Sequence, residues 1–180
     1  MAEKIRPIIF YIIFFMFLLA FGTTATNYDY DLWARIIVGM YVLKNHHLAK
    51  ADFLSYSPTH EWFDHEWAGG VIFYLTQKIL PIAGFLILQT ILLFATYYFI
   101  IKIIKLRGVK TTHAYNFWFY YFSIAAMNHI LNGPIRCQMF SFLFFTIFLY
   151  VLERARTHIG KNKELLSLPI IMIFWCNIHG

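Results

Sequence analysis

Between Lys78 and Lys102 the chain runs for 23 consecutive residues without a charge, and most of them are apolar. About 20 helical residues are enough to cross the hydrocarbon core of a bilayer. Inside lipid no water satisfies the backbone, so a helix that pairs its own N–H and C=O groups is the state such a run must take. Four further apolar stretches follow the same logic. The first is uncharged from Pro7 to Tyr28; the others cover about 113–131, 136–152 and 165–180. Hydrophobic residues make up 60% of the chain and charged residues 13%, against roughly 45–50% and 25% in a soluble domain. A chain of 180 residues still exposes about 30% of its unfolded surface when folded, so that much apolar surface has to face lipid. The expected fold is an all-α membrane protein, a polytopic helical bundle.

The cations orient it. Lys4 and Arg6 precede the first span, taken as about 7–26; Lys102, Lys105, Arg107 and Lys110 follow the second, about 81–103; Arg154, Arg156, Lys161 and Lys163 separate the fourth from the fifth. With these clusters inside, ten of the fifteen Lys and Arg are cytoplasmic and the spans alternate without contradiction. Trp67 to Leu80 is apolar but too short to cross, and a span there would throw the Lys102 cluster outside. It is therefore read as a helix lying on the outer surface. The first span resembles a signal peptide in its basic start, but it is long for one and further spans follow, so an uncleaved anchor is expected. The net charge of +6 does not point to nucleic acid, because the cations lie in short clusters between apolar runs and form no basic face. Cys137 and Cys176 fall within apolar segments at no metal or disulfide spacing and read as packing residues.

This topology gathers the polar chemistry on one side. Six of the nine acids (Asp29, Asp31, Asp52, Glu61, Asp64, Glu66) and six of the eight histidines (His46, His47, His60, His65, His129, His179) lie outside. The outer loop, about 27–80, has internal order. Leu32, Trp33, Ile36, Ile37, Met40 and Leu43 share one helical face, which predicts a lipid-lying helix over 31–45. A second is expected over 65–79. Asp31 and Asp64 stand at the two helix starts, where capping and function are both open. Arg136 opens a mainly apolar span of 16 uncharged residues; it either snorkels to the surface or meets an anion such as a lipid phosphate or a carboxylate. Trp33 and Trp67 fit the aromatic belt of a membrane interface. The histidine spacings do not match a zinc helix, so no metal or cofactor is expected, with a divalent cation left open.

The series Asp29-Tyr30-Asp31-Leu32-Trp33, Asp52-Phe53-Leu54-Ser55-Tyr56, His65-Glu66-Trp67, Arg136-Cys137-Gln138-Met139-Phe140-Ser141 and Trp175-Cys176-Asn177-Ile178-His179-Gly180 resembles bacterial GT-C type membrane glycosyltransferases. The likeness is to the protein-mannosyltransferase-like and lipid A or O-antigen-modifying groups. That resemblance implies two juxtamembrane helices in the first periplasmic loop and a catalytic carboxylate at the start of the first. Asp29 matches that position and Asp31 adjoins it. It further implies a polyprenyl-phosphate sugar as donor, with a glycan, lipid or protein acceptor. Arg136 and His65 are assigned to the donor phosphate, and Glu66, Asp64, Gln138 and His179 to substrate. Localisation in the bacterial inner membrane with a cytoplasmic N-terminus follows. Members of the family have more spans than five, so the chain is expected to be an N-terminal part. The competing reading is a non-catalytic transporter or flippase component whose outer loop is a lid; such proteins place ionisable groups near the bilayer midplane, where these spans have almost none.

Overall fold

The computed structural model describes residues 30–57, 61–108, 134–157 and 162–179, with single helical positions between 9 and 20. The span read over 113–131 and most of that over 7–26 lie outside the described residues. The described residues form five α-helices and no strand: α1 (Tyr30–Asn45), α2 (Trp67–Ile79), α3 (Pro81–Leu106), α4 (Gln138–Thr157) and, after a 3-10 turn at Asn162–Leu166, α5 (Ser167–Ile178). Two of them, α3 and α4, are long and apolar enough to cross a membrane.

Helix α1 carries Asp31 in its first turn and Lys44 in its last, both favourable to the helix dipole. It stops where His46 takes a left-handed conformation (φ 58°) and donates its N–H to the Val42 carbonyl at 2.9 Å, a common helix ending. The apolar face anticipated for α1 divides in two. Leu32, Ile36 and Gly39 are buried against α2, while Trp33, Ile37, Met40 and Leu43 stay exposed. Thus α1 packs on α2 with one edge of its face and leaves the other exposed.

Glycine sets the closeness of that packing. A Cβ on Gly39 would collide with the Gly70 carbonyl, and one on Gly70 with the Arg35 carbonyl, so the two backbones touch. Only glycine permits such an approach. Leu80 alone separates α2 from α3. It is extended (φ −143°, ψ 92°), donates to Thr76 at 3.0 Å and hands the chain to Pro81 at the first helical position, where a missing N–H is harmless.

Phe73 of α2 is fully buried between Phe85 of α3 and Phe140 of α4, at ring-centroid distances of 6.1 and 5.8 Å. Leu32, Ile36, Leu92, Ile135, Cys137, Met139 and Ile178 complete this core. The burial of Cys137 agrees with a packing role, whereas Cys176 is exposed. Helices α3 and α4 run parallel, with Phe85 and Phe140 near one end and Arg107 and Glu153 at the other, and that far end of the pair is closed by charge. Arg107, just past α3, and Arg156 both bind Glu153 (2.9 and 2.6 Å), and Arg154 reaches Glu164 at 2.9 Å. Helix α4 continues to Thr157, because partnered charges let it run past its apolar stretch. The fifth helix begins at Ser167, after a 3-10 turn.

Candidate functional site

At the opposite end, three segments far apart in sequence converge. They are the start of α1 with the approach to α2, the start of α4, and the end of α5. Arg35 lies at the centre. Its Nη1 donates to both carboxylate oxygens of Asp64, at 2.6 and 2.5 Å. Its Nε lies 3.8 Å from Asp31 and 3.7 Å from Glu66, buried and without a hydrogen bond among the described residues. Asp64 is 4% exposed and Arg35 14%, whereas Asp31 keeps 40% of its side chain open. Asp64 also accepts the Glu66 N–H at 2.7 Å, which turns the chain into α2. Asp64 thus ties the approach to α2 to Arg35 but does not cap the helix, whose N-cap is Glu66 without a side-chain cap.

Glu66 carries the network to α5. Its second carboxylate oxygen lies 3.4 Å from His179 Nε2, and His179 Nδ1 is 2.7 Å from the Ser141 hydroxyl in the first turn of α4. The Trp175 indole donates to that same hydroxyl at 2.7 Å. Beside it, the Trp67 indole donates to the Asn177 side-chain carbonyl at 2.7 Å. Close packing fixes the junction: a Cβ on Gly69 would stand 2.5 Å from Cys137 Sγ and 2.7 Å from the Ile178 carbonyl. Indoles that serve as hydrogen-bond donors across helices do more than mark a headgroup layer, and Trp67 is such a case.

The assigned residues distribute unevenly. Asp31, Asp64 and Glu66 come together on Arg35, and His179 joins them through Glu66. His65, Arg136 and Gln138 are exposed; the last two flank or follow the buried Cys137 at the start of α4. Asp29 lies outside the described residues. Arg35, Ser141, Trp175 and Asn177 complete the centre without having been singled out. For Arg35 the signal was present, since it stands one helical turn after Asp31 on the same face, a pairing distance.

No family model, curated protein or solved structure matches the sequence.

Chemically the centre is acidic. Three carboxylates surround one guanidinium, which leaves a formal charge of about −2 at neutral pH. Such a centre accepts protons and favours developing positive charge, and it repels phosphate. Among the carboxylates, Asp64 and Glu66 are the more enclosed, and Asp31 has the open face. No group of three or more His, Cys, Asp or Glu side chains among the described residues is placed to hold a metal ion. The ionic centre is organised by Arg35 instead.

Proposed function

We propose that this chain is part of a polytopic membrane glycosyltransferase of the GT-C type, which moves a sugar from a polyprenyl-phosphate donor to an acceptor on the periplasmic face of a bacterial inner membrane. The observation that carries this reading is the convergence of the three outer segments on one half-open acidic centre at one end of α3 and α4. Catalysis at a membrane surface needs that arrangement, with chemistry at the end of the spans and apolar helices below it. Asp31, with its open face, takes the acceptor hydroxyl's proton as the sugar moves; Asp29, two residues earlier in the sequence, is the other candidate. Asp64 and Glu66, held by Arg35, favour the positive charge that develops at the anomeric carbon, as carboxylates do in glycosidases.

The departing phosphate requires a cation outside the acidic centre. Arg136 meets that need, because it is exposed and adjoins Cys137, which packs on Gly69 of α2. Guanidinium binds phosphate through paired hydrogen bonds. His65, exposed beside Asp64, is the second group on that side.

The test is transfer by the full-length protein, reconstituted in liposomes with a lipid-linked sugar. Asp31→Asn or Asp29→Asn is expected to lower turnover at least ~100-fold, in line with the loss of a positioned base, with insertion unchanged. Wild-type turnover by both variants refutes the assignment. Sidedness is tested separately: cysteines introduced at Lys50 and Lys163 must label from opposite faces of intact membranes.

A further inference from the structure

An apolar groove of ≈ 350 Å³ lies between α3 and α4 in the half away from the acidic centre. Thr96, Ile100 and Ile104 line it from α3, and Phe145, Thr146 and Leu149 from α4. Its two threonines do not make it polar, because Thr96 and Thr146 donate their hydroxyls to the Leu92 and Leu143 carbonyls of their own helices at 2.8 and 2.9 Å. From Thr96 to Ile104 the groove follows the helix for about 12 Å at 1.5 Å per residue. One leaflet of a bilayer core is about 15 Å deep, so the groove matches most of a leaflet.

Its end meets a cationic rim. Arg107 follows Ile104 by one turn, and Glu153 follows Leu149 by one turn. Arg107 and Arg156 share the single carboxylate of Glu153, each binding it through Nε and one Nη2 hydrogen, and both are well exposed at 60% and 66%. The triad keeps a net positive charge. A guanidinium has five N–H donors, so each arginine retains three for another anion. An apolar slot one leaflet deep that ends at arginines with spare donors has the polarity of a phospholipid: acyl chain below, phosphate above.

We propose that this groove is a binding site for an anionic phospholipid, its acyl chain between α3 and α4 and its phosphate on Arg107 and Arg156. The site requires only that α3 and α4 cross the membrane; it does not depend on sugar transfer. Charge complementarity selects the anionic headgroup over a zwitterionic one, whose cation the arginines repel.

Native mass spectrometry of the full-length protein, delipidated and titrated with phosphatidylglycerol or phosphatidylcholine of equal chain length, tests it. Phosphatidylglycerol is expected to be retained about tenfold more. R107Q/R156Q removes that preference, R107K/R156K keeps part of it, and E153Q raises retention by releasing both arginines. Leu149→Trp, which fills the slot, lowers retention of both lipids and leaves the arginines in place. Equal retention of the two lipids by the wild type, or a preference that survives R107Q/R156Q, overturns the proposal. Because transfer is not measured, the outcome is independent of the glycosyltransferase reading.

Discussion

Arg35→Gln is the most informative perturbation of the acidic centre. Arg35 and Asp64 are 14% and 4% exposed and joined at 2.5–2.6 Å, which places them with buried ion pairs. Removing one partner of a buried pair costs about 3–5 kcal/mol, because the other charge remains without compensation; an exposed pair is worth about 0–1 kcal/mol. The two partners are not equivalent here. Without Arg35, three carboxylates face each other. Without Asp64, Arg35 still has Asp31 at 3.8 Å and Glu66 at 3.7 Å. Asp64→Asn should therefore cost less, about 2 kcal/mol, the scale of a hydrogen bond to a charged group. The double variant should cost less than the two single losses added, with a coupling of ~1–3 kcal/mol. Equilibrium unfolding in mixed detergent, followed by tryptophan fluorescence, measures all four corners of the cycle. An Arg35→Gln variant within about 1 kcal/mol of wild type, or one less destabilised than Asp64→Asn, refutes the central role given to this residue.

Two further outcomes follow from the geometry. Gly39→Ala puts a methyl group onto the Gly70 carbonyl and should destabilise by about 1–3 kcal/mol through overpacking, read in the same unfolding assay; an unchanged midpoint would mean that α1 and α2 separate at no expense. In the loop after α1, the Ser55 hydroxyl, and then the Leu54 N–H, hold the Asp52 carboxyl below its ordinary value. A carboxyl lowered in this way stabilises its turn fully above the unfolded value of about 3.9, and the contribution fades as pH falls through the lower folded value. Protection of the Leu54 and Ser55 amides, which donate to Asp52, measured relative to their intrinsic exchange at each pH, should fall over that acid range in the wild type and stay constant in Asp52→Asn.

The features legible in the sequence were those written in local pattern. The charge-free run after Lys78 became α3, and the period of Leu32, Ile36 and their neighbours became α1. The short length of the Trp67 segment kept it apart from the spans. The acids clustered before α2 drew attention to Asp31, Asp64 and Glu66, and the Trp175–Gly180 motif to His179, and these four meet in space. What escaped was set by tertiary contact. Arg35 is one cation in an amphipathic stretch until Asp64, 29 residues on, folds over it. Ser141 is one hydroxyl in an apolar helix until Trp175 and His179 reach it from α5. The last turn of α4 was hidden for a related reason: apolar content stops at Leu152, whereas the pairing of Glu153 with arginines is invisible without its partners.

The contact between Gly70 and the Arg35 carbonyl gives one glycine two duties. A side chain at that position would push on the stretch of main chain that carries the guanidinium, so bulk introduced for packing would be felt as a displaced charge. Fit and the placement of the charge are mechanically joined at this crossing, and neither can drift during evolution without the other registering it.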